Sequence, residues 1–322
     1  MIDAHIHYGD DDPALLALLD ELDLMLLNIC VADDAHGAWR TQADTYRDLA
    51  DRYPARFAWC TSFDLPRLDD LDYANHVIHQ LDADFDAGAV ACKVWKNIGM
   101  EARTLAGDFM MVDDPLFAPI FKHIAARGRA LLMHIAEPLA CWQPLDPRSP
   151  HYGYYSNNPE WHMHGKDGFP AHGELIAARD RMIERNPNLR VVGAHLGSLE
   201  HDVDEVAARL DAYMNFAVDV SARVADLAVQ DSSKVRAFMV KYQDQVLFGT
   251  DVVMRARPST LPAAERDAAI AALRATYGMH FAYFANRGPV TVRGYETEGL
   301  ALPPAVLDKF RRTNALRWYA GI

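Results

Sequence analysis

Apolar runs of strand length alternate with amphipathic stretches of helix length along most of this chain. The first run, IDAHIH, has strict period two, with Ile2, Ala4 and Ile6 on one face and Asp3, His5 and His7 on the other. Residues two apart on a strand share a face, so His5 and His7 converge on one point. ALLALLDEL then reads as a helix, LDLMLLNICV as a strand and AWRTQADTYRDLADRY as a helix. The rhythm continues through the strands RFAWCTSF, AVACKVW, RALLMHIA, NLRVVGAH, NFAVDVS and QVLFGTD. Each is followed by a helical stretch; LFAPIFKHIAARG is expected to end at a glycine stop, and the last stretch is AAERDAAIAALRATYG. Eight strand–helix units with near-continuous apolar strands predict a parallel sheet covered by helices, closed into a (β/α)₈ barrel. An open doubly wound sheet would need a phosphate-binding glycine loop after the first strand, and HYGDDDP is not one.

Two segments depart from the repeat. LPPAVLDKFRRTNALRWYAGI is expected to form an extra C-terminal helix packed on the barrel. The connection from Pro138 to about His172, after the fifth strand, is rich in Pro, Gly, Tyr, Trp and His. A structureless connection of this length inside a compact domain usually serves function, and this one opens on the face where barrel active sites lie. The whole chain, 1–322, is read as a single barrel domain.

Bulk properties narrow the function. Half of the 322 residues are hydrophobic, enough for a large core. The net charge of −13 without a basic stripe argues against nucleic acid as a partner. No apolar run approaches a membrane span, and no leader precedes Ile2, so a cytoplasmic protein is expected. The four cysteines, Cys30, Cys60, Cys92 and Cys141, form no CxxC pair and read as buried thiols.

Barrel active sites draw on the C-terminal ends of several strands. Here those ends carry His5 and His7 on strand one, Lys93 on strand four, His134 with Glu137 beyond it on strand five, His195 on strand six and Asp251 on strand eight. Any one of these residues is unremarkable; five strand ends closing on polar residues are hard to ascribe to chance. HxH on strand one, His on strands five and six and Asp on strand eight resemble the amidohydrolase superfamily, over nearly the whole chain. More narrowly the chain is similar to the amidohydrolase-related branch that includes aminocarboxymuconate semialdehyde decarboxylase.

That resemblance implies metal ligation by His5, His7, His134 and Asp251. His195 then polarises the substrate or handles protons, and Asp251 passes a proton from water to the leaving group. One divalent ion is implied, zinc first, with manganese or iron also suited to such ligands. Lys93 is expected to contact substrate; a carboxylated Lys93 bridging a second ion, or a lysine turned away, are the alternatives. Glu137, Arg223, Trp161 and His164 complete the expected substrate contacts, each with a structural role as its rival. Asp219 and Ser221 share a face on strand seven, and Arg255 lies four residues past Asp251. His162 sits beside Trp161 in the long connection, while His36, His76, His79, His123, His201 and His280 are read as structural or solvated. The expected reaction is hydrolysis of a small lactone, ester or amide by a metal-activated water. Non-oxidative decarboxylation of an unsaturated or aromatic acid, or a metal-binding barrel without catalysis, are the alternatives. The partner is a small molecule, and the resemblance also allows a homodimer.

Overall fold

A computed structural model describes residues 1–33, 37–66, 70–254 and 256–322. The eight strands are β1 (Ile2–Ile6), β2 (Met25–Ile29), β3 (Phe57–Thr61), β4 (Ala91–Val94), β5 (Ala130–Met133), β6 (Arg190–Gly193), β7 (Phe216–Asp219) and β8 (Val246–Leu247). They pair in sequence order, every pair parallel. The residues after β8 close the barrel: Ala4 donates to the Phe248 carbonyl at 3.0 Å, and Asp251 N–H donates to that of His5 at 2.8 Å. The expected (β/α)₈ barrel is the fold.

The principal helices are α1 (Pro13–Glu21), α2 (Arg40–Arg52), α3 (Tyr73–Asp86), α4 (Ala118–Ala126), α5 (His172–Arg185), α6 (Val203–Ala212), α7 (Ser232–Lys241) and α8 (Ala263–Ala285). Local chemistry sets their starts. Asp12 caps α1 by accepting the Ala14 N–H, with Pro13 in the first turn. Asp202 and Asp231 cap α6 and α7 in the same way.

Inward residues of the strands, among them Ile2, Ala4, Leu27, Cys60, Leu132 and Leu247, form one buried cluster with Ala315, Trp318 and Tyr319. The C-terminal tail therefore plugs the end of the barrel from which the strands start. It is two short α-helical pieces, Pro304–Asp308 and Asn314–Trp318, joined by a π turn at Lys309–Thr313. Asp3 lies on the face opposite Ile2 and Ala4, towards α8, and contacts no imidazole ring; a register shift in β1 between Asp3 and Ile6 takes it off the face that His5 and His7 share. Its carboxylate accepts from Thr250 N–H and Oγ1 and from the Tyr277 hydroxyl, stapling β1 to the segment after β8 and to α8.

The structure departs from the sequence pattern in three places. The last helix does not end with AAERDAAIAALRATYG: α8 runs on to Ala285, because His280, Tyr283 and Phe284 continue its buried face. Past α8 the chain forms an antiparallel hairpin, β9 (Arg287–Val292) with β10 (Tyr295–Leu300), outside the barrel sheet. The connection after β5 is not structureless. It holds helical turns at Leu139–Trp142, Tyr152–Asn157 and Pro159–Trp161. The Cys141 carbonyl accepts from both Met163 and His164, which closes the segment on itself.

Buried His280 donates from Nδ1 to the Thr276 carbonyl at 2.8 Å, and its Nε2 has no partner. Burial pushes its pKa down to about 4. An unfolded histidine titrates near 6.5, so between the two values the unfolded chain binds a proton that the folded chain refuses. Stability is therefore expected to fall by up to about 3 kcal/mol as pH drops through this window. Urea midpoints at pH 7 and pH 5 should differ less in His280→Phe than in the parent; an unchanged difference would count against this assignment.

Candidate metal centre

The polar face of β1 delivers its imidazoles to the end of the barrel where the strands finish. His5 Nδ1–H donates to Asp219 Oδ2 at 2.9 Å, and His7 Nδ1–H donates to the Ile29 carbonyl at 2.7 Å. His195 Nδ1–H donates to the Ser221 carbonyl at 2.9 Å. Carbonyl and carboxylate oxygens only accept, so each ring carries its proton on Nδ1 and presents the Nε2 lone pair. This tautomer is the one a metal ligand needs. His5 Nε2 and His7 Nε2 lie 3.6 and 3.2 Å from Asp251 Oδ1. These three residues keep one ligand atom each within 4.8 Å of one another. His134 stands beyond that trio, its ring centre 4.4 Å from that of His195, and its Nε2 is buried without a hydrogen-bond partner. An orphaned imidazole nitrogen beside a His, His, Asp cluster fits a divalent cation.

The backbone around the site is held in costly conformations. His195, Leu196 and Ser198 have φ of 60°, 58° and 58°, and Gly197 between them has 64°. This turn of left-handed helix costs roughly 1–2 kcal/mol for each non-glycine residue. Side chains hold it in place. Asp219 Oδ1 accepts the His195 N–H at 2.9 Å, Arg179 donates to the Gly197 carbonyl, and His172 Nε2–H donates to that of Ser198 at 2.8 Å. Asp251 is also left-handed, at φ 57°.

A cavity of about 510 Å³ opens over these groups, lined by His7, Lys93, Trp95, Lys96, His134, Tyr154, His195 and Asp251 among others. Lys93 Nζ donates to His5 Nε2 at 3.0 Å. Lys96, beside it, pairs with Glu137 and lies 3.7 Å from the Trp161 ring centre, with Trp95 and Tyr154 within 6 Å.

Burial keeps the imidazoles of His5, His134 and His195 neutral, pushing all three below their ordinary value. For Asp251 burial works the other way, and its carboxyl is held well below the carboxylate range only by positive charge at His195, His7 and His5; with those rings neutral, a cation on their Nε2 atoms would have to supply it. Asp219 likewise overcomes its burial: His5 holds it down to about 2. Burial pushes Lys93 down, against the pull of Asp251 and Asp219.

His5, His7, His134, His195, Asp251 and Lys93 thus share one site. The other expected substrate contacts are placed differently. Glu137 accepts from Lys96 and from the Tyr155 hydroxyl, which occupies both of its oxygens. Arg223 is buried on the side of Glu200, outside the cavity lining. Trp161 packs behind Lys96, and His164 is exposed, its Nδ1–H donating to the Trp142 carbonyl. Arg255 and His36 lie outside the described residues. Sequence reasoning missed Lys96, Trp95 and Tyr154 as cavity residues. The run KVWK, two lysines bracketing a strand end, was the available signal. It also left Asp219 without its role as the anchor of His5.

Residues 2–321 match a protein-family model described as Amidohydrolase. The chain belongs to the amidohydrolase family. Among curated proteins no sequence matches it. Solved amidohydrolase-like barrels share its fold at low identity. 5-Carboxyvanillate decarboxylase from Sphingomonas paucimobilis is 18% identical, with 95% of this chain and 82% of that one covered and a TM-score of 0.51. 2,6-Dihydroxybenzoate decarboxylase from Rhizobium is also 18% identical, covering 96% and 88% with a TM-score of 0.53. 4-Oxalomesaconate hydratase from Rhodopseudomonas palustris is 13% identical, covering 99% and 95% with a TM-score of 0.55.

Proposed function

We propose that the protein is a metal-dependent hydrolase of a small carboxylated or hydroxylated lactone, ester or amide. The observation that carries this reading is the convergence of His5, His7 and Asp251 beside the unpartnered His134 Nε2, with Lys93 facing the same cavity. A divalent ion held by His5, His7, His134 and Asp251 would acidify water and polarise a carbonyl. Zinc is the proposed ion, since imidazole nitrogens with one carboxylate suit it, and elemental analysis should find close to one per chain at this centre, lost in His7→Ala.

The chain's own residues supply the rest. Asp251 is ionised and borders the cavity, so it accepts a proton from the attacking water and returns it to the leaving group. Of the two roles open to His195, proton handling fits its tautomer: with Nδ1–H given to Ser221, Nε2 accepts and does not donate to a developing oxyanion. The Lys93 amine is the cavity's donor for a substrate carboxylate or carbonyl oxygen. Its four thiols are buried and unpaired, which suits the reducing cytoplasm.

Decarboxylation of a flat unsaturated acid is the second reading, favoured by the aromatic faces of Trp95 and Tyr154 on the cavity wall. A panel of lactones, esters and amides, followed by acid release, and of aromatic acids, followed by CO₂ release, separates the two. Acid release from at least one carboxylated ester or lactone is expected. CO₂ release with no hydrolysis across the panel would sink the first reading in favour of the second.

A further inference from the structure

A second group of ligand-type side chains lies beside the metal centre. It joins His151, in the connection after β5, to Glu200, after β6, and Asp226, in the short helix Val224–Ala228 after β7. One ligand atom of each lies within 4.8 Å of the others. His151 Nε2 is 2.7 Å from Asp226 Oδ1. Glu200 is 1% exposed and Asp226 5%, yet Glu200 Oε2 and Asp226 Oδ2 have no hydrogen-bond partner. The other oxygen of Glu200 accepts the Leu139 N–H at 3.2 Å. Arg223 forms an ion pair with Glu200 but no hydrogen bond: its Nε is 3.9 Å from Glu200 Oε2 and is itself unpartnered. Buried carboxylate oxygens are rarely left without a hydrogen bond, because charge alone compensates their desolvation only in part. Burial accordingly pushes the Glu200 carboxyl up, with Arg223 opposing and Asp226 reinforcing the shift.

We propose that His151, Glu200 and Asp226 form a second divalent-cation site, structural in kind, which pins the connection after β5 to the segments after β6 and β7. One imidazole and two carboxylates suit zinc or manganese. The cation takes the place of the proton that His151 Nε2 shares with Asp226, which in the neutral ring moves to Nδ1 and leaves the Nε2 lone pair to the ion. The pinned connection carries Tyr154 to the cavity wall and Tyr155 to Glu137, and the site fixes both.

The test is zinc stoichiometry by elemental analysis after chelator stripping and dialysis of the full chain against Zn²⁺. Two ions per chain are expected in the parent. One is expected in each isosteric variant, Glu200→Gln and Asp226→Asn, and one in His7→Ala. A count unchanged in both Glu200→Gln and Asp226→Asn overturns the proposal. A parent count of one that is lost in His7→Ala overturns it too, while sparing the first metal centre. A parent count of one, kept in His7→Ala and lost in Asp226→Asn, supports this site and sinks the other. Trypsin cleavage after the exposed Arg148 provides a second readout that does not depend on counting ions. Zinc should slow cleavage about tenfold in the parent and leave Asp226→Asn unprotected, since a ligand of the closed form suppresses local opening. Equal protection of both proteins, or of neither, would show that no cation clamps the connection at these residues.

Discussion

Asp251→Asn is expected to fold as the parent does and to turn over substrate about a thousandfold more slowly or worse. The amide nearly preserves the shape of a side chain that takes no part in the Asp3 staple or in the plug at the far end of the barrel. What it removes is the negative charge that faces His5 and His7, and with it the proton acceptor beside the cavity. It should also weaken zinc, because Asp251 Oδ1 faces both His5 and His7. Circular dichroism, zinc titration and kcat with the best substrate of the panel check the three parts separately. Parent-level kcat with bound zinc would remove Asp251 from the chemistry.

Asp219→Asn tests a residue that touches neither cavity nor substrate. Asp219 Oδ2 accepts the His5 Nδ1 proton, while Oδ1 accepts from the His195 and Ser221 amides and from the Ser221 hydroxyl. Those three donors keep the amide oxygen of an asparagine on their side. Its NH₂ group then faces His5 Nδ1, which must accept, so the ring proton moves to Nε2. His5 thereby loses the lone pair it would offer a metal, as happens to a triad histidine whose aspartate becomes an amide. Zinc affinity should drop about ten- to a hundredfold. Ring-nitrogen chemical shifts of His5 in the zinc-free protein give a readout that simple loss of packing would not produce. A His5 still protonated at Nδ1, with parent-like zinc affinity, would show Asp219 to be structural only.

Much of the barrel is legible because each strand is an apolar run that ends on a polar residue, and β/α alternation leaves few ways to arrange such runs. The residues that converge, His5, His7, His134, His195 and Asp251, are legible for the same reason: a strand end in a barrel points at one place. What escapes is whatever depends on partners distant in sequence. Nothing local in NFAVDVS says that Asp219 grips a ring 214 residues earlier. Glu137 reads as a substrate contact because its partner Lys96 lies just past a strand end, where periodicity has lapsed. The last helix reads as AAERDAAIAALRATYG, ending at Gly278 where the apolar periodicity is no longer plain. The buried contacts of Tyr283 and Phe284 that carry α8 past it are not visible in sequence.

His5 and His7 come from the first strand and Asp251 from the segment after the last, so the trio straddles the seam where the barrel closes. The site therefore cannot exist in any partly built sheet, however many strands it contains. Contacts this far apart in sequence form late, because the longest loop of the chain must be closed to make them. Cation capture is then expected to follow closure of the barrel, where the ion would act as a rivet across the joint. A nascent chain shorter than β8 has no competent centre with which to scavenge a metal or run stray chemistry. Stripping the ion from the mature protein should accordingly loosen the β8–β1 seam before any other part of the wall, visible as faster amide exchange at Ala4 and Asp251 than at strands β4 to β6.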